Sequence, residues 1–284
     1  MARDTALASE IVSHTMGETI TLQLSGKRAL VTGSSSGLGE AIAIRLAREG
    51  ARLVVHGRNV ARAQRVAAAI RAAGGEAHVA IGDLMHDDQA AAVGNAAESA
   101  LGGIDILVNN AGGESSGGGQ ATWLEATPAE WVAAYQGNVV GAVRLIRRFV
   151  PGMKAEGWGR IIQISSLVAH RPNLVIPDYA AAKAALNNMT VGLSKTLAGT
   201  GITVNSISPG VIMTAGVEGW FRKLAEQFGW GADWPEIERR AIAELAPNHI
   251  GRAGRPEDVA HAVMYLASPQ GGFVTGTDMM VSGG

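Results

Sequence analysis

The sequence predicts an α/β protein, a single doubly wound parallel β-sheet with helices on both faces. Three observations carry this. Short apolar runs alternate with longer Ala-rich helical stretches from residue 28 onward. The first three βα units follow one another without interruption, the pattern of parallel strands joined by right-handed helical crossovers. No linker divides the chain, so residues 26–284 are read as one domain behind an N-terminal extension, residues 1–25.

"RALVTG" (28–33) reads as a buried strand, and "GLGEAIAIRLAREG" (37–50) as a helix stopped by Gly50. "ARLVVHG" (51–57) is the second strand and "VARAQRVAAAIRAAGG" (60–75) the second helix, with a Gly-Gly stop. "EAHVAIGD" (76–83) and "DDQAAAVGNAAESALGG" (87–103) make the third unit, and "IDILVNNAG" (104–112) the fourth strand. The second half repeats the pattern: helix 127–150, strand "GRIIQIS" (159–165), helix 178–198, strand "GITVNSIS" (201–208), helix 256–267 and strand "TDMMVS" (277–282). Two segments depart from it. "GGESSGGGQ" (112–120) is a flexible loop. Residues 213–250 hold Trp220, Trp230 and Trp234 after the carboxyl end of a strand, where a long insert is a packed subdomain or, the preferred reading, a lid over a pocket.

Composition excludes several functions. Hydrophobic residues make up 47% and charged residues 17% of 284, enough for a large core, and the formal charge of −1 recommends no nucleic acid partner. With no cysteine there is no disulfide, thiolate nucleophile or thiolate metal site. No metal pairing is seen among His14, His56, His78, His86, His170, His249 and His261. Neither a signal-peptide core nor a membrane span is visible, so a soluble, cytoplasmic protein is expected.

The first informative motif is "TGSSSGLG" (32–39), between the first strand and first helix. Gly33 permits a tight turn; Gly37 and Gly39 let the backbone approach a ligand and the helix meet the sheet. Free N–H groups and the positive end of the helix dipole suit a pyrophosphate. The second motif is "PDYAAAK" (177–183): Tyr179 and Lys183, four residues apart, share one helix face, and an ammonium beside a phenol favours the phenolate. Such a tyrosine can give and take a proton near neutrality.

With "NNAG" (109–112), these motifs stand in the order found in the short-chain dehydrogenase/reductase family, and residues 26–284 resemble it. The resemblance implies a Rossmann-like fold and an oxidoreductase acting on a secondary alcohol/ketone pair with a nicotinamide cofactor. It implies four catalytic residues: Tyr179 as general acid/base, Lys183 beside it, Ser166 (thirteen residues before the tyrosine, in preference to Ser165) polarising the carbonyl, and Asn138 fixing a water that links Lys183 to solvent. Gly33, Ser35, Ser36, Gly37, Leu38 and Gly39 would cradle the cofactor. Asp83 and Leu84 would meet the adenine, and Asn110, Ala111 and Gly112 would pass beside the adenosine ribose. Pro209 and Gly210 would make a turn after the sixth strand, Ile212 would contact the nicotinamide carboxamide through its backbone, and Thr214 would bond the carboxamide or the pyrophosphate, with hydride delivered from the pro-S face.

The second strand ends at Gly57, where NAD-binding proteins often place a carboxylate, and Arg58 follows. A guanidinium suits a phosphate dianion, so NADP(H) is expected over NAD(H). The substrate would be a small carbonyl or alcohol compound. Leu167, Val168, Ile176, Met213 and Trp220, with Ser166 and Tyr179, are its candidate contacts, and His170 is the weaker one, better read as a loop histidine. A 3-oxoacyl carrier-protein reductase is one specific activity, though Lys154 and Arg160 make no clear basic dock. The competing classes are a cofactor-binding regulatory or scaffold protein without turnover, and a dehydratase or epimerase on the same fold. The family implies a homotetramer, or a homodimer, packed through the helices that carry Asn138 and Tyr179. "VSGG" at the end replaces the commoner "VDGG" and bears on packing only.

Overall fold

The structure is a computed structural model that describes residues 22–113 and 121–284. Most of the N-terminal extension and residues 114–120 of the Gly/Ser loop lie outside the described residues.

Seven strands form one parallel sheet in the order β3-β2-β1-β4-β5-β6-β7. They are β1 (Arg28–Val31), β2 (Arg52–Gly57), β3 (Ala77–Ile81), β4 (Ile106–Asn109), β5 (Gly159–Ile164), β6 (Ile202–Pro209) and β7 (Asp278–Val281). Between them come α1 (Gly37–Arg48), α2 (Val60–Ala72), α3 (Asp87–Leu101), α4 (Pro128–Tyr135), α5 (Gly141–Ala155), α6 (Pro177–Thr196), α7 (Ala215–Phe228), α8 (Trp234–Leu245) and α9 (Pro256–Ala267). The strand order reverses between β1 and β4, and a crevice opens there at the strands' carboxyl ends.

Side-chain alternation along each strand builds two cores. Ala29 and Val31 face one way, joining Leu53, Val55, Ile106 and Val108 against Ile42 and Leu46 of α1, Val66 and Ile70 of α2, and Val259 and Val263 of α9. Leu30 faces the other way with Val54, Leu107, Ile161 and Val204, against Val93 of α3, Leu145 and Phe149 of α5 and Leu186 of α6. Each fully buried aliphatic side chain contributes roughly 1.5–3 kcal/mol. Both faces are covered, so β5 and β6 are buried along their whole length, their polar residues included.

One element differs from the expectation. The stretch 127–150 was expected to be one helix; it is α4 and α5 joined by a single π turn, Gln136–Val140, with α5 continuing to Ala155. Thr127 and Glu130 form a capping box that starts α4 at Pro128. A π turn widens the ladder, and within it the Asn138 amide donates to Ala134 O at 2.9 Å. The insert 213–250 is the helix pair α7–α8, packed on a small core of its own: Phe221, Ala225, Trp230, Ile237, Ala241, Ile242 and Ala253. Thr214 caps α7 and Asp233 caps α8.

Candidate active site

The crevice at the switch point is a cleft of about 520 Å³, within the range of small-molecule sites. Gly33, Ser35, Ser36, Gly57, Arg58, Leu84, Asn110–Gly112 and Asn138 line it. Its glycines are required. Gly33 and Gly37 have φ of 65° and 58°, in the left-handed region. A Cβ on Gly39 would stand 2.5 Å from both Gly33 O and Asn110 Nδ2. A Cβ on Gly57 would stand 2.5 Å from Ser35 Oγ, so the end of β2 is filled by the phosphate turn itself. Ser36 is the N-cap of α1, yet its side chain makes no cap bond, and its hydroxyl remains at the cleft. These features fit a dinucleotide: a tight backbone cradle at a helix N-terminus, with guanidinium groups at the far end.

Several side chains hold this cradle, and Thr32 and His56 among them carry no role expected from the sequence. Thr32 Oγ1 accepts from the backbone N–H of Asn110 (2.9 Å) and of Ala111 (2.8 Å), tying β1 to the turn after β4. Asn110 Nδ2 donates to Thr32 O at 2.9 Å, so its side chain braces the turn. His56 is buried; its Nδ1 accepts from Gly33 N–H at 3.0 Å, and its Nε2 stands 3.1 Å from Gly82 O. A carbonyl can only accept, so Nε2 carries the proton. Burial lowers the imidazole's pKa from 6.5 to about 4. Asn59 and Arg62 also line the cleft beside Arg58. The only sequence signal for any of these was a histidine or a threonine at the carboxyl end of a strand.

Asp83, expected at the adenine, lies at the cleft rim. Its carboxylate pairs with Arg58 at 3.5 Å and accepts from Met85 N–H at 3.0 Å, while its neighbours Gly82, Leu84 and Met85 line the cleft. Arg58 is 77% exposed, at the rim.

The four predicted catalytic residues come from three elements. Lys183 on α6 is 3% exposed, and its Nζ donates to Ile164 O at 2.8 Å. The same Nζ lies 5.4 Å from the centre of the Tyr179 ring, as one helical turn allows. Desolvation lowers the Lys183 pKa from 10.5 to about 8. Asn138, in the π turn, donates to Gly113 O (3.1 Å) and Ala134 O, while its buried Oδ1 has no partner among the described residues. A Cβ on Gly112 would meet that oxygen and come within 3.5 Å of Lys183 Nζ, so Asn138, Gly112 and Lys183 converge. Ser166 caps the short turn Leu167–Ala169 and is half-buried. Ser165 is buried and donates to Lys183 O at 3.1 Å, a framework role.

The α6 helix that carries Tyr179 and Lys183 begins under strain. Ile176, its N-cap, has φ 57° and ψ 43°, unusual for a β-branched residue. Pro177 follows and disfavours the right-handed helical region for its predecessor. Ile176 N–H donates to Ala121 O, and Val175 bridges Thr122, so the loops before α4 and α6 are clasped together.

The predicted substrate contacts are only partly brought together. Val168 flanks Ser166 in the short turn, but Met213 packs on the α7–α8 core, and Trp220 is 44% exposed with its ring 5.2 Å from that of Phe221. Ile212 is buried beside Gly254, and Thr214 packs against Gly37, 3.6 Å from a Cβ placed there. His170 lies in a loop: its Nε2 is 2.6 Å from Asp278 Oδ2, which also accepts from Ser208 Oγ at 2.8 Å. Among the described residues no helix is long and apolar enough to cross a membrane, and no cluster of His, Asp and Glu could hold a metal ion.

A doubly wound sheet with a glycine cradle at its switch point, and a tyrosine–lysine pair at one end, defines a dinucleotide-dependent oxidoreductase. The short chain dehydrogenase model matches residues 27–225. The 3-oxoacyl-[acyl-carrier-protein] reductase FabG of Pseudomonas aeruginosa is 34% identical over 263 residues, 93% of this chain and 98% of its own length. L-Sorbose reductase from Gluconobacter frateurii, complexed with NADPH and L-sorbose, superposes with a TM-score of 0.87 at 35% identity, covering 93% of this chain and 98% of that one. A 7α-hydroxysteroid dehydrogenase complexed with NADH and 7-oxo glycochenodeoxycholic acid gives 0.80 at 34% identity, covering 93% and 96%. The chain belongs to the short-chain dehydrogenase/reductase family, and is an oxidoreductase of CH–OH and carbonyl groups that binds a nicotinamide cofactor.

Proposed function

We propose that the protein is an NADP(H)-dependent reductase or dehydrogenase of a secondary alcohol/ketone pair, with Tyr179 as general acid/base. The observation that carries this is the buried Lys183 ammonium, anchored on Ile164 O, a turn from Tyr179 and converging with Asn138 on Gly112. When bound, the nicotinamide supplies or accepts the hydride. Tyr179 gives its phenolic proton to the oxygen that becomes the alcohol, and takes one back in the reverse direction. Lys183, charged below its pKa of about 8, stabilises the phenolate left behind. Asn138 holds its free Oδ1 toward the Lys183 side for a water that resupplies the proton. Ser166 donates to the reacting oxygen and fixes its orientation.

Arg58 and Arg62 support the preference for NADP(H), because both line the far end of the cleft and Gly57 puts no carboxylate at the end of β2. The α7–α8 pair would serve as the lid on one continuous domain. A second copy of the chain fits the apolar groove of Tyr135, Val139, Val143, Ala185 and Met189, supporting a homotetramer or homodimer, which sedimentation would test.

The test is absorbance of the reduced nicotinamide, with NADPH and NADH in parallel against a panel of ketones that includes steroid, sugar and 3-oxoacyl compounds. NADPH oxidation with at least one ketone is expected, and Arg58→Asp should move the preference toward NADH. A wild-type preference for NADH would overturn the cofactor reading. Binding of NADPH with no turnover across the panel would favour a regulatory role.

A further inference from the structure

We propose that His56 is a positioning residue of the cofactor turn, whose neutral imidazole sets the direction of the Gly33 N–H and thereby the affinity for the dinucleotide's pyrophosphate. This rests on the reading of the cleft as a dinucleotide site. His56 is on β2, Gly33 follows β1 and Gly82 follows β3, so one ring ties together the ends of three neighbouring strands. Ser34 adds a second tie, accepting from His56 N–H at 3.0 Å while its own N–H donates to His56 O at 2.8 Å. The ring also lines the cleft, directly beneath the turn.

Only a neutral ring with its proton on Nε2 can do this. Nδ1 must accept from Gly33 and Nε2 must donate to Gly82 O; the other tautomer or the imidazolium would set a donor against the Gly33 N–H. Gly33 has no side chain to hold it and sits at φ 65°, so the acceptor behind its N–H fixes the orientation of that peptide plane. A turn that must present its remaining N–H groups to an anion loses affinity when one plane is free to rotate. The charged groups facing the ring are Asp83 and Arg58, paired with each other at the rim.

The experiment measures NADP⁺ and NAD⁺ binding by calorimetry at pH 7.5, at a temperature where circular dichroism shows every variant folded. His56→Asn keeps an acceptor near the Nδ1 position; His56→Leu fills the space without one. Expected is a loss of at least ~10-fold for His56→Leu with both dinucleotides by the same factor, and less than ~3-fold for His56→Asn. In turnover assays the loss should appear chiefly in the KM for NADPH rather than in kcat, since the ring touches no reacting atom. Equal affinity of both variants with wild type would overturn the proposal. So would equal weakening by both, which would mark a packing role only. If His56→Leu does not fold, nitrogen-15 spectra of wild-type imidazole decide: the Nε2–H tautomer with an Nδ1 signal that moves on NADP⁺ addition is expected, and the Nδ1–H tautomer would overturn it. If wild type binds neither dinucleotide, the dinucleotide reading itself fails, a result distinct from all of these.

Discussion

Replacing Lys183 by methionine should remove activity and, at the same time, remove a pH-dependent destabilisation of the fold. The ammonium is buried, and desolvation takes its pKa from 10.5 to about 8. Below pH 8 both folded and unfolded chains carry the charge, and the folded state bears the full cost of burying it, about 3 kcal/mol. Between pH 8 and 10.5 the folded chain sheds the proton while the unfolded chain keeps it, so stability rises with pH. From pH 7.5 to 10 the gain is about 2 kcal/mol. Lys183→Met also strips Ile164 O of its donor, at about 1–3 kcal/mol, but that loss does not depend on pH. The assay is urea unfolding of both proteins at pH 7.5 and 10. The stability difference, wild type minus variant, should rise by about 2 kcal/mol between the two. A difference constant within about 0.5 kcal/mol would refute the reasoning, because it would mean that Lys183 is not held as a desolvated cation.

Tyr179→Phe should lower turnover by at least ~10²-fold while leaving NADP⁺ affinity unchanged, measured by steady-state kinetics and calorimetry. Gly39→Ala drives a Cβ to 2.5 Å from the Gly33 carbonyl and should cost about 1–3 kcal/mol in unfolding free energy, with weaker cofactor binding. Thr32→Val orphans the N–H groups of Asn110 and Ala111 and should cost about 2–4 kcal/mol in denaturant unfolding. His56, with its pKa lowered from 6.5 to about 4, should make wild-type stability fall as pH drops through that window, by about 3 kcal/mol relative to His56→Asn in paired melts.

What was legible in the sequence was local. Each strand is a short apolar run, and Gly33, Gly37 and Gly39 declare a turn because their spacing between strand and helix has few other uses. Tyr179 and Lys183 were readable because four residues on one helix is a fixed geometry. What was hidden depends on neighbours remote in the chain. His56 has meaning only because β1 and β3 flank β2, which places Gly33 and Gly82 on either side of its ring. Thr32 matters through residues 78 and 79 positions away. The π turn was invisible because nothing in Gln136–Val140 distinguishes a π turn from a weak α-helical stretch, and only the widened ladder shows it. Met213 misled because an apolar residue after β6 can face a pocket or a helix, and here α7 and α8 claimed it.

The π turn has a consequence for anyone splicing this chain with a relative. It stores one surplus residue between two otherwise regular helices, and each residue advances a helix by about 100°. Deleting a single position from 136–140 would restore an unbroken spiral and swing Asn138 out of its niche, while leaving composition and apparent helicity almost untouched. A chimera joined inside that pentapeptide could therefore fold, look healthy by spectroscopy and still have Asn138 out of place; a seam at Thr127, ahead of the capping box, avoids the hazard.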